Sequence, residues 1–180
     1  WAGDPERLVI ATKGGLARKG PRWLPAGDPA RLVRQAQASR EALGVERIDL
    51  YLLHAPDKRV PWAEQVAALA EIRDQGVARH VGLCNLSDPA QLAEALALAP
   101  IAAVQIPLSP FDCKAVRSGL VDACAARGIA VIAHSPLGGW RKRGRVGRDA
   151  AFAAIGGRRG ISAEAAALTW LVQGLPHVIA

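Results

Sequence analysis

Methionine is wholly absent from the 180 residues, and the chain opens on Trp1. A translation product begins with methionine unless it is processed, so the sequence reads as a segment of something longer. The three cysteines, Cys84, Cys113 and Cys124, form no CxxC pair and no metal-like cluster with the four histidines. That count argues against a disulfide scaffold and a structural zinc, and for a reducing, cytoplasmic setting. No apolar run approaches the roughly 18–20 residues of a membrane span, and no basic-then-apolar leader opens the chain. Neither GxGxxG after the first apolar run nor GxxxxGK occurs, so the usual phosphate loops of open nucleotide-binding sheets are missing.

What is present is enough apolar material for a core. Hydrophobic residues make up 51% and charged residues 22%, which excludes intrinsic disorder. The length suits one domain or part of a larger one. Net charge is +7, and five of the cations lie in the single stretch Arg141-Lys142-Arg143-Gly144-Arg145-Val146-Gly147-Arg148, which leaves +2 elsewhere. Such a run is ordinarily a solvated loop, with phosphate binding the sharper reading. Nucleic-acid binding has only charge behind it, since no aromatic beyond Trp140 interleaves the run, and none is expected.

Short apolar runs alternate with longer stretches of helical periodicity. Strands are expected at Leu8–Thr12, Ile48–Leu53, Arg79–Leu83, Ala103–Ile106 and Ile129–Ala133, with His177–Ala180 starting another. Helices are expected near Pro29–Leu43, Trp62–Gln75, Pro89–Leu98, Lys114–Arg127 and Ser162–Gln173, with a short one around Asp149–Ile155. Gly44, Gly76 and Gly128 supply stop signals, and Ser87-Asp88-Pro89 reads as a helix cap. This alternation predicts parallel strands covered by helices. An open doubly wound sheet and a β/α barrel compete, and the missing phosphate loops favour the barrel.

In either architecture chemistry gathers at the carboxyl ends of the strands. Reading only those ends yields Lys13, His54, Cys84-Asn85, Gln105 and His134-Ser135-Pro136. Each residue alone has a bland explanation: a solvated lysine, a rim histidine, a turn-capping asparagine, a glutamine bonded to backbone. Five successive strands delivering polar groups to one face is harder to attribute to packing. A lysine and a histidine in one pocket supply a positive field and a neutral hydrogen-bond donor for a carbonyl oxygen.

These residues carry a resemblance. Leu8–Gly15, Arg47–Asp57, Val81–Ser87, Val104-Gln105 and Gly128–Gly138 stand in the order and spacing of the aldo-keto reductases, over almost the whole chain. The resemblance implies an incomplete (β/α)8 TIM-type barrel, one partial domain over residues 1–180 with about six of the eight strands. It implies hydride transfer between NADP or NAD and a small carbonyl or alcohol. Lys13 then corresponds to the lysine that lowers the pKa of a catalytic tyrosine, and His54 to the histidine that orients the substrate carbonyl. Cys84, Asn85 and Gln105 would hold the nicotinamide carboxamide. His134 would face the ring, and Ser135, Pro136, Leu137 and Gly138 would line the pyrophosphate. No metal is implied, and oligomeric state stays open.

The sequence departs from the family pattern at three places. Cys84 replaces a serine and His134 an aromatic residue. The third concerns the acid: the family's tyrosine and its aspartate lie upstream of the lysine strand, whereas the single tyrosine here, Tyr51, is three residues before His54. Side chains alternate along a strand, so Tyr51 is expected to face away from His54, and Asp49 likewise. By this matching two leading βα units, about 60 residues at roughly 30 each, are absent. The isolated chain is therefore expected to lack turnover and, with two unpaired strand edges, to fold poorly or associate. A non-catalytic cofactor-binding or regulatory barrel is the competing reading.

Overall fold

A computed structural model describes residues 8–86, 88–142, 144–175 and 177–180. They divide into two compact units, one running through Leu86 and including Ala90–Ala103, the other holding Val104–Ala180. Within each unit the strands pair in parallel, and a separate antiparallel hairpin accompanies the first of them.

In the first unit β1 (Ala11–Gly14) pairs with β4 (Ile48–Leu53), and β4 pairs with β5 (Ala78–Cys84), both in parallel. Every β4 residue except Asp49 is buried, as expected for a parallel strand covered on both faces. The helices α1 (Pro29–Leu43) and α2 (Trp62–Asp74) provide cover, with Leu32, Ala36, Val66, Leu69 and Ile72 buried. Helix α1 starts and stops where its residues dictate. The Asp28 carboxylate accepts from the Arg31 N–H, Pro29 occupies the first turn, and Gly44 takes the left-handed conformation at φ 64°. Helix α3 (Pro89–Leu96) leads to β6 (Ile101–Pro107), whose first residues close the unit. Gly82 permits this approach, because a Cβ there would stand 2.3 Å from the Ala103 carbonyl oxygen.

The second unit holds the rest of β6, then α4 (Lys114–Arg117), α5 (Leu120–Ala125), β7 (Ala130–His134), α6 (Ala150–Arg159), α7 (Ala163–Gly174) and β8 (Val178–Ile179). Strands β7 and β8 pair in parallel through Val131 with Val178 and Ile132 with Ile179. Asp149 and Ser162 cap α6 and α7 through side-chain oxygens. Among the described residues no helix is long and apolar enough to cross a membrane.

Two sequence expectations need correction, and one element was not foreseen. The first strand begins at Ala11, not Leu8, because the Ile10 N–H is taken by the Asp49 carboxylate at 3.0 Å. The helix expected over Lys114–Arg127 is two, broken where Gly119 adopts φ 77°. The hairpin of β2 (Leu16–Lys19) and β3 (Arg22–Pro25) is absent from the expected elements, since its Arg-Lys-Gly-Pro-Arg centre shows no alternation of apolar and polar residues. Ser87 of the expected α3 cap lies outside the described residues.

Candidate active site

The first unit gathers its polar residues at the carboxyl ends of β1, β4 and β5. Lys13 is in register with Leu52, so the two side chains share a face, and His54 falls on that face two residues further. Lys13 and His54 line one cavity of about 730 Å³. Its walls also include Leu16 and Trp23 from the hairpin, and Ala38 and Ala42 from α1. Asn85, just past β5, takes φ 59°, a left-handed conformation that asparagine tolerates better than most residues. Its amide nitrogen donates to the His54 carbonyl at 2.8 Å, so the ends of β4 and β5 are tied together directly beside the histidine. Cys84 is buried. Desolvation pushes its thiol up to about 12, against the opposing field of Lys13.

Tyr51 does not join this group. It is fully buried on the opposite face of β4, with its hydroxyl 3.5 Å from the Leu32 carbonyl of α1, at the limit of a hydrogen bond. Burial raises its phenol above the ordinary tyrosine range, so it stays protonated and inert at neutral pH. Asp49 also faces elsewhere, accepting from Ile10 and standing 3.7 Å from the Arg79 guanidinium. No phenol among the described residues therefore reaches Lys13 or His54.

One network near the cavity escaped the sequence reading. Asp57 is buried, and its carboxylate accepts from the Gly27 N–H at 3.1 Å, the Arg59 N–H at 3.0 Å and the Arg59 guanidinium. The Arg59 hydrogen bonds hold its carboxyl far below the usual carboxylate range, outweighing desolvation. Gln65 accepts from the Asp57 N–H and donates to the carbonyls of Asp57 and Val60. The Arg59 guanidinium also donates to Pro25 at the end of the hairpin. Only the burial of a polar Asp57 in a loop betrays the network, and burial is not visible in a sequence.

The second unit places Gln105 half-buried on β6 and His134 exposed at the end of β7. His134 Nδ1 lies 3.2 Å from the Ser135 hydroxyl. Ser135 adopts φ 56°, unusual for a residue other than glycine, and the Gly138 N–H donates back to its carbonyl at 2.8 Å. That closes a turn over Pro136 and Leu137 beside a cavity of about 470 Å³. Gly138 and Gly139 have φ 96° and 69°, and a Cβ at Gly139 would come within 3.1 Å of the Ser135 hydroxyl. Part of the basic run has protein partners. Lys142 donates to the Phe111 carbonyl at 3.4 Å, the Arg145 guanidinium sits 4.3 Å from the Phe111 ring centre, and Arg148 donates to Gly144.

Parallel strands alternating with helices, with polar residues at the ends of β1, β4, β5 and β7, make this a β/α protein of the barrel-forming type. The Aldo/keto reductase family model matches residues 1–179, and the chain belongs to that family. It is 34% identical over 175 residues to Uncharacterized oxidoreductase C215.11c of Schizosaccharomyces pombe, covering 96% of this chain and 55% of that protein. It is 37% identical over 138 residues to aldo-keto reductase str7 of Strobilurus tenacellus, covering 76% and 40%. The solved thermostable aldo-keto reductase Tm1743, in complex with the inhibitor epalrestat, is 29% identical with a TM-score of 0.74 over 84% of this chain and 54% of its own. The chain thus spans about half the length of the curated relatives it matches.

Proposed function

We propose that the chain is the lysine–histidine part of an NAD(P)-dependent oxidoreductase that interconverts aldehydes or ketones and their alcohols. The observation that carries this reading is the shared cavity of Lys13 and His54, with Asn85 clamped to the histidine's own carbonyl. The nicotinamide cofactor supplies the hydride. His54 orients the substrate by hydrogen bonding to its carbonyl oxygen, and the Lys13 ammonium stabilises negative charge developing there. By the resemblance to the family, Cys84 and Asn85 in the first unit would hold the carboxamide, and in the second unit Gln105 would do the same, His134 would take the ring, and Ser135, Pro136, Leu137 and Gly138 the pyrophosphate. The turn fits an anion: its glycine-lined backbone leaves the cradle that a side chain at Gly139 would fill, and Lys142 and Arg145 follow it.

The buried Tyr51 supports a companion claim, that these 180 residues bind cofactor without turning over substrate. The same fact favours a non-catalytic, cofactor-binding protein as the second reading. Fluorescence titration with NADPH, alongside absorbance assays of ketone reduction, tests both. Saturable NADPH binding with no turnover is expected from the chain alone. Robust turnover abolished by His54→Ala would refute the claim of inactivity, and absence of NADPH binding would refute the cofactor assignment.

A further inference from the structure

The β2–β3 hairpin forms a wall of the Lys13–His54 cavity through Leu16 and Trp23. The remaining wall is mostly apolar, from Gly14, Ala38 and Ala42, with Ser39 and Gln35 as its polar side chains. Of the polar side chains there, Gln35 is engaged at both ends, accepting from the Gly15 N–H at 2.8 Å and donating to the Leu16 carbonyl at 2.9 Å. Trp23 is 62% exposed, so it contributes little to a core. It is nonetheless held in place, with the Arg18 guanidinium 5.8 Å from its ring centre. The base of the hairpin is fixed as well. The Ala26 N–H donates to Gly15 at 2.8 Å, Arg59 donates to Pro25, and the buried Asp57 carboxylate receives the Gly27 N–H.

We propose that Trp23 is a specificity-determining residue. It presents a flat apolar surface to substrates bound beside Lys13 and His54, and it selects carbonyl compounds with an aromatic or otherwise planar apolar body over hydroxylated ones. The inference rests on the oxidoreductase reading above and names the substrate class for that site. A planar body stacks on the indole and buries apolar surface against Leu16 and Ala42. A polyhydroxylated ketone brings several hydroxyls into a cavity that, beyond Lys13 and His54 at the carbonyl, offers them the Ser39 hydroxyl and an already engaged Gln35, and each unpaired hydroxyl costs affinity. The clamp at Asp57 matters because a wall that moves selects nothing; Asp57 and Arg59 are positioning residues for the hairpin.

Ligand-detected NMR titrations of the chain with 2-acetonaphthone and with dihydroxyacetone test the proposal in wild type, Trp23→Leu and Trp170→Leu. Trp170 lies on α7 and lines neither candidate cavity, so it controls for loss of an exposed indole. Wild type and Trp170→Leu are expected to bind 2-acetonaphthone alike, and Trp23→Leu to bind it about fivefold more weakly, the scale of one aromatic stacking contact. Dihydroxyacetone is expected to bind none of the three above background. Unchanged 2-acetonaphthone affinity in Trp23→Leu, with an unchanged melting temperature, overturns the proposal; so does dihydroxyacetone binding that rivals the naphthyl ketone. NADPH titration of the same samples separates the two readings. Failure of NADPH to bind strikes the oxidoreductase reading, whereas failure of the Trp23 dependence strikes the specificity wall alone.

Discussion

Gly14→Ala should destabilise the chain through Tyr51. Gly14 is the last residue of β1 and follows Lys13. A Cβ built there stands 1.8 Å from the Tyr51 hydroxyl, 2.8 Å from the ring carbon that bears it and 3.2 Å from the Gln35 side-chain oxygen. Real contacts essentially never fall below 3.0 Å, so the phenol or the strand must give way by more than 1 Å. Tyr51 is fully buried, with its hydroxyl held against the Leu32 carbonyl of α1. Overpacking of this kind costs about 1–3 kcal/mol, which lowers the melting temperature of a domain this size by about 2–4 °C per kcal/mol. Tyr51→Phe alone gives up only a hydrogen bond at the limit of its length, worth about 0.5 kcal/mol. In the Gly14→Ala background the same change removes the worst clash, so the two substitutions should couple favourably by about 1 kcal/mol. Urea denaturation of the four proteins of the cycle measures this. A Gly14→Ala protein within about 0.5 kcal/mol of wild type, or strictly additive effects, would refute the placement of Tyr51 against the back of the lysine strand.

Two further predictions follow from the titratable groups. Asp57→Asn should lose about 1–3 kcal/mol at neutral pH, the cost of removing an ionised acceptor from a buried hydrogen-bond network. Because the folded-state pKa of Asp57 is depressed, the unfolded chain binds the extra proton; the stabilisation is present above the unfolded value near 4 and fades as the pH falls below about 5. Urea midpoints at neutral and acid pH should therefore converge between wild type and Asp57→Asn, and a gap independent of pH would count against the ionised clamp. Of the three thiols, only Cys113 should react readily with a disulfide reagent while the chain is folded. Cys84 and Cys124 are buried and pushed up to about 12 and about 11, whereas Cys113 is half-buried. Equal rates at all three cysteines in the folded chain would contradict that burial.

Much of the frame was legible because parallel strands leave a strong mark in sequence. Ile48–Leu53 and Pro29–Leu43 have the bounds that their apolar run, their caps and Gly44 foretell. The broken helix over Lys114–Arg127 shows the limit of periodicity. Its apolar spacing continues through Gly119, but a glycine at φ 77° interrupts the backbone, and nothing in the pattern of side chains announces that. The hairpin was illegible for a different reason. Its Arg18, Lys19, Arg22 and Trp23 are all exposed, so neither face repeats with a period of two. The tertiary anchors that hold it, Asp57, Arg59 and Gln35, come from residues up to 34 positions away.

The position of Tyr51 could be derived from parity alone, and this has a consequence for the chemistry. An odd separation from His54 on a strand buried on both faces forces the phenol towards α1, whatever the loops do. Moving it to the cavity would require a one-residue slip of β4, which would send Leu50, Leu52 and His54 to the helix side and expose a lysine to a phenylalanine-sized phenol it now never meets. That slip breaks the register with β1 and β5 at once. The fold therefore keeps Lys13 and His54 together and keeps Tyr51 apart for one and the same reason. On the reading proposed above, Lys13 and His54 would orient a carbonyl oxygen and stabilise charge on it, and Tyr51, turned towards α1, would not be the group that protonates it.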